Sequence, residues 1–311
     1  MDNIEVSIII VNYNTCELTT QCIESIIAKT VGISYEIIVV DNASKEIKCI
    51  EELSKEKHFL LIKAGENLGF GRANNLGVRY AKGKYILLLN SDTILNNNAI
   101  YMLHKFYVNN KEKMHLGVIG CYLNNAYKEL GQSSVTFPKC YSPIVRVSNK
   151  ILKCLHLTEK SVFDECVERK VDGIIGADMF MDIAVFKEIG GFDDMFFLYG
   201  EEVELQKRIS NNGYNQYLIS GPEITHLEGG SNNRKRHMSF FTIYCLLVGG
   251  IIYSRKHFSF FERLFYNFTN VIVILIWTIF TTRLTCKEKK LIIQLMCNSN
   301  NQRLYNISKL I

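Results

Sequence analysis

The run from Tyr85 to Leu95, Tyr-Ile-Leu-Leu-Leu-Asn-Ser-Asp-Thr-Ile-Leu, is apolar until Asn90, Ser91 and Asp92 interrupt it. A lone carboxylate beside an amide and a hydroxyl suits a divalent cation that bridges to phosphate oxygens, because hard cations take oxygen ligands. Asp92 is therefore the candidate metal ligand, although Ser91 and Asp92 could equally cap whatever element follows. Asp41 closes a second apolar run and could accept hydrogen bonds from a ribose or from a base N–H. Arg72, after Gly69-Phe70-Gly71, offers a cation to a phosphate at a helix start, whereas the two glycines alone would mark a turn. Glu201, Glu202 and Glu204 open a later helical segment. Acidic residues there commonly complement the helix dipole, and successive helical positions point about 100° apart, so only one of them can face a given substrate.

These residues need a scaffold that delivers them to one edge. Val6 to Val11 is a β-branched run broken by Asn12-Tyr13-Asn14-Thr15, and the pattern then predicts a helix from Cys16 to Lys29. Tyr35 to Val40 repeats the strand signal and ends in Asp41-Asn42-Ala43-Ser44, with Ser44 placed to cap a helix through Lys57. Phe59 to Lys63 is a third strand, a helix closing near Gly83 follows Gly69, and the Tyr85 run is a buried fourth strand. Such alternation predicts a parallel sheet covered on both faces, with ligands bound outside the carboxyl ends of the strands. Beyond it the pattern predicts a helix to Val108 and a strand from Leu116 to Leu123. Residues 124–167 hold Pro138 and Pro143 and little periodicity, which marks a substrate-side insertion. A strand from Val171 to Met181, a short helix stopped by Gly190-Gly191, a helix from Glu201 to Gly213 and a strand pair at Tyr217 to Ile219 and Ile224 to His226 complete a domain over residues 1–232.

The 311 residues, 48% of them hydrophobic, are ample for one large core. Ten cysteines form no Cys-x-x-Cys pair and no ladder of short spacings, so neither a zinc site nor a secreted disulfide framework is expected, and the location expected is cytoplasmic. Asp2 and Glu5 before a short apolar run do not suit a signal peptide. Residues 233–311 combine the apolar stretches Ile243 to Tyr253 and Leu264 to Phe280 with the basic Arg234 to His237 and Lys287 to Lys290. That combination predicts a helical region lying on the inner face of an anionic plasma membrane in preference to spanning it, with packing on the catalytic domain or a homodimer contact as the other alternative, and no nucleic-acid role. A dehydrogenase is disfavoured because Asn12-Tyr13-Asn14 follows the first strand where the glycines of a dinucleotide fingerprint belong.

Taken in order, Val6 to Asn14, Val39 to Ser44, Asn67 to Gly77, Leu88 to Thr93, Gly190 to Tyr199 and Glu201 to Leu205 resemble a family 2 glycosyltransferase of the GT-A fold, in its rhamnosyltransferase-like branch. The resemblance spans roughly residues 6–230. It implies a Rossmann-type α/β/α sandwich with a mostly parallel central sheet, and an inverting sugar transfer from a nucleotide sugar to a glycan or lipid-linked saccharide. On this resemblance Asn12, Tyr13 and Asp41 hold the nucleoside, and Asn67, Arg72 and Asn74 lie near the base and diphosphate. Asn90 and Ser91 border the site, and Asp92 binds Mg2+ or Mn2+ with His226 completing the metal or diphosphate site. Glu201 contacts substrate and Glu202 is the catalytic base. A single histidine such as His226 is, on its residue type alone, more often structural.

Two departures stand out. The family's Glu-Asp pair followed by Asp is here Glu201-Glu202 and Glu204, and its Asn-Pro-Asp is Asn90-Ser91-Asp92. Rhamnose from a thymidine diphosphate donor is the expected cargo. The rivals are a uridine diphosphate hexose on the same machinery, or a catalytically silent sugar-nucleotide-binding protein of a polysaccharide assembly complex.

Overall fold

The computed structural model describes residues 4–145, 148, 167–227, 239–281 and 284–297. The described residues fall into two compact units, divided along the chain as Met1–Phe137, Glu165–Phe197 and Glu201–Arg236 for one and Pro138–Asp164, Leu198–Gly200 and His237–Ile311 for the other.

The first unit contains, in chain order, β1 (Val6–Asn12), α1 (Cys16–Lys29), β2 (Tyr35–Asp41), α2 (Lys48–Lys57), β3 (Leu60–Lys63), α3 (Phe70–Val78) and β4 (Tyr85–Asn90). There follow β5 (Thr93–Leu95), α4 (Ala99–Met114), β6 (Leu116–Asn124), β7 (Ser134–Val135), β8 (Arg169–Val171), β9 (Gly173–Ile174) and β10 (Asp178–Asp182). Last come α5 (Ile183–Glu188), α6 (Glu201–Asn211) and β11 (Asn215–His226). The main sheet runs in the order β3-β2-β1-β4-β10-β6-β11-β5, with β8 on β11. Strands β3, β2, β1 and β4 are parallel, as the alternation predicts. β10 then enters antiparallel to both β4 and β6, and β5 closes the edge antiparallel to β11.

Successive strand residues point to opposite faces, and both faces here are covered. Ile8, Ile10, Leu87 and Leu89 pack with Ile23 and Ile26 of α1 and Leu103 and Tyr107 of α4. Ile9, Ile86 and Leu88 pack on the other side with Val78, Phe186, Leu205 and Ile209. This is why the central strands read as unbroken apolar runs rather than as alternations.

The structure departs from the pattern-based expectations in several places. The single strand expected from Val171 to Met181 is divided into β8, β9 and β10, and the helix expected to end at Val108 runs on to Met114. Ser44 does not cap α2, which begins at Lys48 without a side-chain cap; its hydroxyl is taken by Asn12 and by the backbone N–H of Asn14. α3 ends at Val78, well before Gly83. The expected strand pair at the end of the domain is one strand, β11, whose register on β6 shifts between Ile219 and Ile224 and whose far end pairs with β5. Gly221, at φ +102°, lies within that shift, so Gly221-Pro222 bends the strand without ending it. Finally, Cys16 and Cys49 are bonded to each other, their Cα atoms 6.5 Å apart; a separation of 33 residues carries no sequence signature.

In the second unit α7 (Phe240–His257), α8 (Phe260–Phe280) and α9 (Cys286–Cys297) pack together. α7 buries Tyr244, Leu247, Val248, Ile251 and Ile252, so most of the apolar stretch from Ile243 to Tyr253 lies inside this unit. A Cβ at Gly250 would stand 2.8 Å from the Tyr266 hydroxyl, and its absence lets α8 approach. The basic run Arg234 to His237 and residues 149–166 of the insertion lie outside the described residues.

Candidate functional site

The register of the parallel strands sets Asn12 beside Asp41 and Val11 beside Asn90, so the carboxyl ends of β1, β2 and β4 form one edge. Asn12 is fully buried and organises that edge. Its Nδ2 donates to Asp41 Oδ1 at 2.8 Å and Ser44 Oγ at 3.1 Å, and its Oδ1 accepts from Thr15 Oγ1 at 3.1 Å and Thr19 Oγ1 at 2.8 Å. Asp41 also receives the Ser44 backbone N–H at 3.1 Å. Both residues, at 0% and 2% exposure, therefore shape the edge from beneath, while Tyr13 stands 38% exposed above it. A cavity of about 710 Å³ adjoins this edge, lined by Asn14, Thr15, Cys16, Lys45 and Glu46 among others.

The Asn67 to Arg72 loop is fastened in turn. Asn42 donates from Nδ2 to Asn67 Oδ1 at 2.9 Å and accepts the Leu68 N–H at 2.8 Å, and Asn67 Oδ1 also accepts the Gly69 N–H at 3.0 Å. Arg72 donates from Nε to the Leu68 carbonyl at 2.7 Å, and its guanidinium lies over the Phe197 ring at 5.9 Å. Asn74 departs from the expected ligand-facing role: it is 1% exposed and donates to the Phe70 carbonyl one turn back. Its neighbour Asn75 does more than sequence reading assigned to it. Its Oδ1 accepts the Phe192 N–H at 2.9 Å and its Nδ2 donates to the Phe192 carbonyl at 2.8 Å, locking the chain after Gly190-Gly191.

Asp92 and His226, 134 positions apart, meet because β5 and β11 pair with Thr93 opposite His226. Asp92 Oδ1 lies 3.2 Å from His226 Nε2, and Asn90 Nδ2 is 3.5 Å from the same nitrogen. The Leu227 N–H donates to the Asp92 carbonyl at 2.8 Å, and the hydroxyls of Ser91 and Thr15 stand 3.1 Å apart, tying this edge to β1. A carboxylate and an imidazole fit a divalent cation that takes its remaining ligands from phosphate oxygens and water. Among the described residues no group of three or more His, Cys, Asp and Glu side chains gathers into a self-sufficient metal cage.

The three glutamates of α6 occupy different environments. Glu204 is fully buried and held by Arg208, whose Nε and Nη2 reach it at 2.8 to 3.0 Å. Arg208 also donates to the carbonyls of Ile189 and Gly191 at 2.6 and 2.7 Å, so this pair fixes the glycine turn. Glu201 is 3% exposed, and burial, followed by the neighbouring Glu202 charge, pushes its carboxyl well above the ordinary range. Glu202 is half-buried. It stands beside Gly176, and the carbonyl of the next residue, Ala177, accepts the Asn90 N–H at 3.0 Å. This β10 approach also brings in Asp178, a carboxyl that sequence reading passed over as part of a strand. It is fully buried, accepts the Cys121 N–H at 2.6 Å, and is pushed up to about 7, mainly by burial.

The geometry agrees with what known proteins show. Residues 7–153 match the family described as Glycosyl transferase family 2. The chain is 28% identical over 200 residues to the rhamnosyltransferase WbbL of Escherichia coli (strain K12), covering 62% of this chain and 72% of that one. Its fold resembles that of GalNAc-T7, solved with UDP, GalNAc and Mn2+, at 16% identity and a TM-score of 0.58 over 81% of this chain and 48% of that one. It also resembles S. aureus TarS 1-349, solved with UDP, at 13% identity and a TM-score of 0.52 over 99% of this chain and 90% of that one. The chain thus spans about half of GalNAc-T7. The GT-A-like sheet and the polar edge at its strand ends agree with the Glycosyl transferase family 2 match over residues 7–153.

Proposed function

We propose that the protein transfers rhamnose from a thymidine diphosphate donor, with inversion, to a cell-surface polysaccharide or a lipid-linked saccharide. The choice of rhamnose follows the relative WbbL, and the likeness to UDP-bound structures at 13 to 16% identity concerns the fold alone. The observation that carries the reading is the meeting of Asp92 and His226 at 3.2 Å beside the edge formed by Asn12, Asp41 and Asn90.

In this reading the nucleoside lies along Tyr13 and the loop that Asp41 and Asn67 hold in place, and Arg72 turns its positive charge towards the diphosphate. Asp92 and His226 would hold Mg2+ or Mn2+, which would supply Lewis-acid stabilisation of the charge on a leaving diphosphate. Glu202 takes the acceptor hydroxyl proton as that oxygen bonds to the anomeric carbon and the bond to the diphosphate breaks. Among the three glutamates the reading favours Glu202, since Glu204 is committed to Arg208 and burial, with the neighbouring Glu202 charge, raises the Glu201 carboxyl well above the ordinary range.

A panel of nucleotide sugars, assayed for turnover with and without Mn2+, tests the reading. Turnover of the thymidine diphosphate rhamnose donor is expected, lost in chelator and lost in Asp92→Asn by several orders of magnitude, with thermal stability retained. Full activity of Asp92→Asn in excess chelator removes the metal role. Turnover confined to a uridine diphosphate hexose reassigns the donor, and binding without turnover of any donor leaves a silent sugar-nucleotide-binding protein.

A further inference from the structure

Helix α8 is amphipathic with its sides reversed. Phe261, Leu264, Phe265, Phe268, Ile272 and Ile276 recur at spacings of three and four, which puts them on one face. Each is between 41% and 79% exposed. The residues turned inward are instead Tyr266, Thr269 and Asn270, at 1%, 8% and 4% exposure. Tyr266 packs on Phe258, ring centroids 5.3 Å apart, and against Gly250, so the inward side is held by the helical unit itself. Water is a poor neighbour for an outward face of this size, and such patches mark contact with a membrane or another protein.

We infer that this face of α8 is a membrane-docking surface that lies in the headgroup region of an anionic bilayer. The charge around the stripe selects lipid over a second copy of the chain. Arg255 and Lys256 end α7 just before α8, and Lys287 and Lys290 follow it in α9, so basic residues flank both ends of the stripe. α8 itself carries Glu262 and Arg263 as its only charges, and Glu262 is engaged in the capping box with Ser259. Any two-fold pairing of α8 with its copy sets a basic end against a basic end. Anionic headgroups neutralise both ends at once. By length and composition Phe260–Trp277 could also cross a bilayer. A crossing is disfavoured because the inward side is occupied by the unit's own helices, leaving one face for lipid.

The experiment uses the full chain and sedimentation with vesicles of phosphatidylcholine, with or without phosphatidylglycerol. The wild type is expected to pellet with the anionic vesicles, less so at high salt. Phe261→Glu/Phe268→Glu should lower the bound fraction by about tenfold or more, as loss of two inserted rings requires. The neutral pair Phe261→Ser/Phe268→Ser should also lose binding, which separates lost insertion from charge repulsion. Both rings are on the surface, so circular dichroism and the unfolding midpoint should match the wild type. A wild type that stays in the supernatant, or variants that pellet as it does, overturns the inference. So does a dimer in solution that the same substitutions dissociate without any vesicle binding. Resistance of the vesicle-bound chain to alkaline carbonate extraction overturns the interfacial placement in favour of a crossing.

Discussion

A carboxylate becomes a base only if it is ionised, reachable and not already committed to a cation. The three glutamates of α6 divide on these terms: Glu204 is paired with Arg208, Glu201 is buried with its carboxyl pushed well up, and Glu202 is half-buried. Glu202→Gln should therefore lower transfer by about a hundredfold or more with nucleotide affinity unchanged. Glu201→Gln should lower transfer less than Glu202→Gln, because burial raises the Glu201 carboxyl and glutamine keeps its size and polarity. Single-turnover transfer and nucleotide titration on both variants decide the matter; transfer lost in Glu201→Gln and kept in Glu202→Gln would reverse the assignment. At this scale the sequence was a good guide where chemistry is rare. Asp92 was singled out by its place at the end of an apolar run and His226, 134 positions away, by the family resemblance, and the structure sets them 3.2 Å apart. It was a poor guide to asparagine. Asn74 and Asn75 are adjacent and alike, and only the helical phase decides that one turns inward to Phe70 while the other clasps Phe192.

The elements position these groups through loops that are closed by their own polar atoms. Ser44 and Ser91 read as possible caps in the sequence, yet the Ser44 hydroxyl accepts the Asn14 N–H and the Ser91 hydroxyl meets that of Thr15 instead. A hydroxyl serves either purpose, so local pattern alone does not separate a cap from a clasp. Gly69 is the tightest of these points. Its φ of +80° and ψ of −173° fall in a region reserved for glycine, and a Cβ there would stand 2.0 Å from the Phe197 carbonyl oxygen, which already accepts the Phe70 N–H. Gly69→Ala should cost about 2 kcal/mol or more in stability, from strain together with the clash. It should also weaken donor binding, because the loop that carries Arg72 must shift. Chemical denaturation and nucleotide titration measure the two effects; an alanine variant with wild-type values of both would mean that the loop is not held as described.

At the scale of the whole molecule, the parallel half of the sheet was legible because β1, β2 and β4 are apolar runs buried in the sheet and a helix connects each strand to the next. The antiparallel entry of β10 between β4 and β6 was not, since it depends on pairing between residues far apart in the chain, from Phe180 with Ile119 to Asp182 with Tyr85, a long-range choice that no local periodicity encodes. That entry has an energetic consequence. It puts the Asp178 carboxyl in the sheet, fully buried, with one oxygen on the Cys121 N–H and the other, Oδ1, without a hydrogen-bond partner. Burial raises this group from its ordinary value to about 7. Between pH 4 and 7 the folded chain therefore keeps a proton that the unfolded chain releases, so this group's contribution to stability falls as pH rises through that window and levels off above it. From pH 5 to pH 8 the loss attributable to Asp178 should be on the order of 3 kcal/mol. Asp178→Asn keeps an oxygen for the Cys121 N–H and cannot ionise, so it should remove this part of the slope. Urea unfolding of both forms across the range, without added divalent cation, gives the comparison. A variant whose stability declines with pH as steeply as that of the wild type would show that Asp178 is not the group that titrates.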